Sequence, residues 1–433
     1  MNSKAPTHPQ SAADSSLSNP SRKNEFSLLA IGTTYRIASA RQKLISLSDY
    51  FSVTCVTSEL GEQRIFGRPI QEFNIPDKEN AIRLFRLPEW PTNQGFTRIF
   101  FAGLERIVRS ARFDIILVDA EPWGLYKWQS WYLVRRFQKT ALFGEFTWEN
   151  VERPGWRGAI LSGFYFASAR ADDFLICGNA AAQKILLKHG ASPGRVLVAP
   201  QHGVDISEFR PPSREEMQGA RKEFGLPQNG FVVGFCGRLV PEKGVSDLVA
   251  AAAQLVVQFP DTHLALVGNG PLRAELTRNS APWLHVIVGQ PSSAIPRFMQ
   301  SLDLFVLPSR PRFEPGHYWE EQFGHVLIEA MACGVATLGS SSGAIPEVIS
   351  FPEAIFPHSD ADALFRLLVK GRSEPGWRKQ LAAQQRERVI RVYEHSAVSR
   401  TYADFFNKIM VERNGGVCLS ASAAKDRKPL GQQ

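Results

Sequence analysis

The chain has 433 residues, 44% hydrophobic and 21% charged, which supports two or three globular domains and excludes collagen, an extended coiled coil and wholesale disorder. Fifty Lys and Arg against 42 Asp and Glu leave a net charge of +8. That excess suits phosphorylated small molecules or membrane surfaces and is too diffuse for a nucleic-acid partner. Residues 1–24 are polar, rich in Ser, Pro, Asn and Ala, and lack a signal-peptide apolar core; they read as a disordered leader. No apolar run of about 18 residues exists, so no transmembrane helix is expected and the protein is placed in the cytoplasm. Five cysteines (Cys55, Cys177, Cys236, Cys333, Cys418) stand singly, so neither a disulfide frame nor a zinc site is predicted.

From Phe26 onward, short apolar runs alternate with amphipathic stretches. FSLLAIG (26–32), FSVTCVT (51–57), FDIILVDA (113–120), ALFGEF (141–146), DFLICG (173–178) and RVLVAP (195–200) read as buried parallel strands separated by helices. RIFFAGLERIVRSA (98–111) reads as the helix leading into the third of them. The Pro pair and polar residues of DISEFRPPSREE (205–216) mark a linker between domains. A second series follows: GFVVGFCG (230–237), HLALVGNG (263–270), LHVIVG (284–289), LFVLPS (304–309) and VATLGS (335–340). The expected architecture is α/β, with two doubly wound Rossmann-like domains (25–204 and 217–395) facing a cleft. A C-terminal helix (396–413) and a flexible tail (414–433) complete it.

Chemistry concentrates at strand ends of the second series. Gly237 ends a strand, Arg238 follows, and Lys243-Gly244 precedes a helix. Two cations near a helix N-terminus suit a diphosphate, whereas a solvated basic loop is the bland alternative. In EEQFGHVLIEAMACGVATLGSSSGAIPEV, Glu329 is the one formally charged residue on an otherwise apolar helix. It needs a hydrogen-bonding partner, and a ribose diol is one candidate; an ion pair is the other. Glu321 lies just before that helix, next to Phe323-Gly324, either near a sugar or as a helix-end charge.

Taken together, Arg238, Lys243, Glu321 and Glu329, with seven residues between the glutamates, resemble the donor site of retaining glycosyltransferases of family 4 (glycosyl transferases group 1), which have the GT-B fold. LDLFVLPS, GAIPEV, the Gly268/Gly270 turn of LALVGNGPLRAEL, and HGVDISEFRP, with His202 where Asn is more usual, extend the match. The resemblance spans roughly 25–410 and is strongest from 200 to 350. It implies a hexosyltransferase using a nucleotide-diphosphate sugar (UDP- or GDP-sugar). Arg238 and Lys243 would bind the diphosphate, Glu329 the ribose and Glu321 the transferred sugar. Gly237, Gly268, Phe323 and Gly324 would line the donor site, and no metal or other cofactor is expected. The acceptor would be a saccharide or a lipid-linked compound of surface polysaccharide or glycolipid synthesis, met at the inner face of the membrane.

The N-terminal half departs from that pattern. Gly32 is followed by two threonines where relatives have a Gly pair, and Ala120 stands about where they place a His, leaving Asp119 or Glu121 as replacements. The basic aromatic stretch YKWQSWYLVRRFQK (126–139) reads either as a half-exposed helix or as a membrane-surface contact. Asp360-Ala-Asp362 reads as a solvated turn, not a metal-binding pair. GNGPLR lacks the full dinucleotide fingerprint, which argues against a dehydrogenase. A nucleotide-sugar epimerase and a non-catalytic binding module are the rival classes.

Overall fold

The computed structural model describes residues 26–59, 64–65, 68–69, 81–90, 99–278 and 281–413. The leader, the tail and Cys418 lie outside the described residues. Two parallel sheets organise the chain. The first is built from β1 (Ser27–Gly32), β2 (Ser52–Ser58), β3 (Arg83–Leu87), β4 (Ile115–Asp119), β5 (Leu142–Thr147), β6 (Phe174–Cys177) and β7 (Val196–Val198), in the order 7-6-5-4-1-2-3. The second holds β8 (Phe231–Cys236), β9 (Thr262–Val267), β10 (Leu284–Ile287), β11 (Leu304–Leu307), β12 (Ala336–Ser340) and β13 (Ile355–Phe356), in the order 10-9-8-11-12-13.

Both faces of the first sheet are covered, which is why its strands are continuous apolar runs. Alternate residues of β1 enter opposite cores: Leu28 and Ala30 one, Leu29 and Ile31 the other. The edge strand β3 (RLFRL) is largely exposed and shows no such run, so the sequence did not announce it. Phe100 and Phe101 pair with Glu89 and Trp90 as a short ribbon, and helix α2 is confined to Leu104–Ser110. This shortens the helix expected over 98–111, because Gly103 is left-handed and starts it.

Helices α1 (Ala38–Leu47), α3 (Leu125–Phe137), α4 (Gly155–Ala171) and α5 (Ala180–Lys188) cover the first sheet. Helix α6 (Arg214–Glu223) begins inside the stretch read as linker. A capping box there, Ser213 to the Glu216 amide and the Glu216 carboxylate back to the Ser213 amide, fixes its start. Around the second sheet lie α7 (Val245–Gln258), α8 (Arg273–Arg278), α9 (Ile295–Gln300), α10 (His325–Ala332), α11 (Ile345–Ile349), α12 (Ala361–Ser373) and α13 (Pro375–Val392). Asp360 caps α12 through the Ala363 amide, so Asp360-Ala-Asp362 is a helix start. The last helix, α14 (His395–Arg413), returns to the first sheet and buries Val398, Tyr402, Phe406 and Met410 in its core.

The 126–139 stretch lies largely on α3, the half-exposed helix of the two readings, and turns Lys127 inward. The Lys127 side chain is fully buried, 3.3 Å from both Glu145 and Asp172 and 2.9 Å from the Ser168 hydroxyl. One cation thus faces two carboxylates. Burial, then the charge of Glu145, raises the Asp172 carboxyl well above its usual range, and burial raises Glu145 as well. Removing the cation leaves a buried carboxylate uncompensated, so Lys127→Ala should lower unfolding free energy by about 3–5 kcal/mol. Asp172→Asn should cost markedly less, and denaturant melts of the two variants read the difference.

Candidate functional site

The ends of β8 and β9 meet backbone to backbone. A side chain at Gly268 would begin 1.8 Å from the Gly237 carbonyl oxygen, and the Leu239 amide donates to the Asn269 carbonyl at 2.9 Å. Beyond Arg238 the chain makes one tight turn, Pro241–Lys243, and enters α7 through Gly244. Gly244 has φ 65°, and a Cβ there would lie 1.8 Å from the Pro308 oxygen, so only glycine fits. No side chain caps α7, which leaves its first N–H groups and positive dipole end beside Lys243.

The Lys243 ammonium lies 2.5 Å from Glu321 Oε2, and the Ser309 hydroxyl donates to the same oxygen at 2.7 Å. Its charge also sits 4.9 Å over the Trp319 ring. The two residues assigned separate roles are therefore one buried pair. Arg238 is half-exposed, 3.8 Å from Glu242, whose other oxygen is 3.8 Å from Arg312. Arg310 folds over the same turn and donates to the Pro241 carbonyl at 3.0 Å. Four basic side chains thus converge where β8 and β11 end, and an incoming anion would compete with Glu242 and Glu321 for them.

Glu321 is held through its backbone as well. Its carbonyl accepts from the Ala344 amide at 2.8 Å and, from the first domain, from Asn150 Nδ2 at 3.2 Å. Gly343, at φ 52°, would place a Cβ 2.1 Å from that carbonyl, which explains the glycine opening GAIPEV. Asn179 Nδ2 donates to the neighbouring Gln322 carbonyl at 2.8 Å. Phe323 is buried against Trp148 and Tyr393, ring centroids 5.6 and 5.7 Å away, so its side chain packs the domain junction. Left-handed Gly324 then starts α10.

Glu329 has a partner on its own helix. Its Oε1 accepts from His325 Nδ1 at 3.1 Å, and His325 Nε2 is 3.0 Å from the Gly203 carbonyl in the interdomain crossing. Glu329 thus has a hydrogen-bond partner, a histidine that sequence reasoning passed over.

In the first domain, Gly32 backs onto Asp119, where a Cβ would come within 2.8 Å of the Asp119 Cβ. Asp119 is buried and accepts from Thr34 and Gln201, each at 3.3 Å. Glu121 is the other candidate. It accepts from the Thr147 hydroxyl and, at 3.1 Å, from the Trp148 amide. Burial, against the pull of the Thr147 bond, pushes its carboxyl up to about 7.

Ser309, Arg310, Arg312, Trp319, His325, Asn150 and Gly343 join the site without having been singled out in the sequence. Arg310 and Arg312 were within reach of the strand-end rule, and His325 of the i, i+4 rule. Among the described residues, no group of three or more His, Cys, Asp or Glu side chains is arranged to hold a metal ion.

Residues 216–388 match the family model described as glycosyl transferases group 1. A GDP-mannose-dependent monoacylated alpha-(1-6)-phosphatidylinositol monomannoside mannosyltransferase of Corynebacterium glutamicum is 31% identical over 196 residues, 43% of this chain and 50% of the relative. A phosphatidyl-myo-inositol mannosyltransferase of Mycolicibacterium smegmatis is 30% identical over 232 residues, 52% of this chain and 55% of the relative. The chain spans about half the length of these curated relatives. Among solved structures, Anabaena HepE in complex with UDP superposes with a TM-score of 0.67 at 17% identity, covering 88% of this chain and all of that one. Sucrose-phosphate synthase of Thermosynechococcus elongatus gives 0.67 at 18% identity, covering 90% of this chain and 100% of that one. These likenesses identify the GT-B fold. Residues 216–388, the part of the chain that resembles glycosyl transferases group 1, carry Arg238, Lys243, Glu321 and Glu329.

Proposed function

We propose that this protein is a retaining glycosyltransferase of family 4. It moves a hexose from a UDP- or GDP-sugar to a saccharide or lipid-linked acceptor held by the first domain, in surface polysaccharide or glycolipid synthesis. The observation that carries this reading is the buried Lys243–Glu321 pair at the mouth of α7, with Arg238, Arg310 and Arg312 around it. Relatives named for GDP-mannose and a fold neighbour bound to UDP-glucose support both donor bases.

Charge grows on the leaving diphosphate as the glycosidic bond breaks. Lys243, Arg238 and the α7 N-terminus neutralise it, so charge balance requires no divalent ion. The departing diphosphate accepts the acceptor's proton on the same face, which dispenses with a protein nucleophile. Glu321 places negative charge beside a ring centre that becomes oxocarbenium-like. Closure of the domains excludes water and suppresses hydrolysis of the donor.

For the acceptor, the outer face of α4 favours a lipid. Trp156, Ile160 and Phe166 are 70, 53 and 49% exposed. Trp156, Ile160, Gly163, Ala167 and Arg170 form an outward stripe. Arg157 and Arg170 lie over the Trp156 and Phe166 rings, and neither α3 nor α4 carries an acidic residue. An apolar helix face flanked only by cations suits an anionic bilayer surface and repels a second copy of itself. No helix among the described residues is long and apolar enough to cross a membrane. The loop from Trp148 to Pro154 leads from β5 into this helix and carries Asn150, which donates to the Glu321 carbonyl.

Turnover, melting temperature and calorimetric UDP and GDP affinity, measured in excess EDTA, test the donor reading. Arg238→Ala and Lys243→Ala should each weaken nucleotide binding by about 10–150-fold, the scale of one charge-assisted bond. Glu321→Gln, which removes the carboxylate competing for Lys243, should leave that affinity undiminished and lower kcat by roughly 10²-fold or more. Unchanged affinity in both basic variants overturns the assignment, and free nucleotide diphosphate appearing only with acceptor excludes an epimerase. For the membrane surface, co-sedimentation with phosphatidylglycerol vesicles, weak with phosphatidylcholine, should be lost in Trp156→Ala/Phe166→Ala. Equal sedimentation of that variant and wild type removes α4 from the contact.

A further inference from the structure

His325 is the first residue of α10, and both of its ring nitrogens face acceptors: the Glu329 carboxylate at 3.1 Å and the Gly203 carbonyl at 3.0 Å. A neutral imidazole has one donor and one bare nitrogen, so it satisfies one of these contacts; an imidazolium satisfies both. Gly203 is no ordinary loop residue. The chain passes between domains twice, and at this point the passes are joined: the Val204 amide donates to the Tyr393 carbonyl at 2.8 Å, and Val204 bridges to Glu394. A side chain at Gly203 would strike the Tyr393 oxygen at 2.4 Å. One histidine therefore connects the helix carrying Glu329 to the backbone about which the domains meet.

We propose that His325 is a positioning residue that, as a cation, aims the Glu329 carboxylate at the nucleotide sugar and ties it to the interdomain crossing. This rests on the reading of Glu329 as the ribose contact. With Oε1 held by His325, the Oε2 of Glu329, which has no hydrogen bond among the described residues, remains for a hydroxyl.

The surroundings favour a single cation. His202, on the crossing itself, packs its ring 4.7 Å from His325. Burial, then the His325 charge, holds His202 well below the ordinary histidine range. His395, at the start of α14, is pushed down to about 4 by burial and then by His325, with Asp205 opposing. Lys43, from α1, adds positive charge to both neighbours. On His325 burial alone would lower the value, but the Glu329 bond and charge and the Gly203 carbonyl raise it. The sign follows: the contribution of His325 is complete below the ordinary histidine value and is lost as pH rises through its raised one.

The experiment combines imidazole NMR titration with calorimetry of UDP and GDP between pH 5.5 and 8.5. The signal absent from His325→Gln should titrate above the ordinary value of about 6.5. Affinity of wild type for nucleotide should fall about tenfold as that signal titrates, and His325→Gln should show the weakened affinity at every pH. His325→Arg, a fixed cation with two donors, should bind tightly across the range with no pH step. At saturating donor, kcat should be nearly unchanged in both. A His325 signal titrating at or below the ordinary value overturns the proposal, as does His325→Gln binding like wild type throughout. If neither nucleotide binds wild type, the donor reading falls and this role falls with it.

Discussion

The pairing of Lys243 with Glu321 is the constraint on which the site depends. Taking an ammonium and a carboxylate out of water is costly, and the pair persists only because its geometry is enforced from several directions. Gly244 lets the turn carrying Lys243 pass within contact of Pro308, and Gly343 lets its loop lie flat against the Glu321 backbone. Ser309, one residue past Pro308, supplies the second donor. A pair built this way is open to exchange, since an anion beside Lys243 would compete with Glu321 for its charge.

The same segment is where the domains touch. Asn150 and Asn179, both just past strand ends of the first sheet, donate to the carbonyls of Glu321 and Gln322. Phe323 is wedged between Trp148 from the first domain and Tyr393 from the second crossing. Residues of the candidate site and interdomain contacts thus share three consecutive positions. Any rotation of the domains must change the hydrogen bonding of the backbone that carries Glu321.

The parallel sheets were legible because strands buried on both faces must be apolar throughout, and eleven such runs could be read directly. The edge strand β3 was not, because only one of its sides is paired and its charged residues obey no core. The basic and acidic members of the donor site were legible by type and by strand-end position. Their mutual pairing was not, since the contact between Lys243 and Glu321 spans 78 residues. Lys127 illustrates the converse error. In sequence it belonged to a basic aromatic surface, whereas the fold turns it inward against Glu145 and Asp172 and leaves Trp156 and Ile160 of the next helix outside.

The difference in legibility between the domains has a chemical origin. A nucleotide diphosphate presents fixed charge and a fixed diol, so the residue types that bind it are few and their spacing is set by strand ends and a helix start. An acceptor presents hydroxyls on a scaffold that differs from one enzyme to the next, and many side chains can orient those. At the position where a histidine was sought, this chain uses Ala120 followed by Glu121, a buried carboxyl pushed up to about 7 and held by Thr147 and Trp148. A carboxyl of that kind can donate as well as accept near neutral pH, as an imidazole does. A search by residue type finds only the gap at Ala120, because neither the raised carboxyl of Glu121 nor its hydrogen bonds show in the sequence.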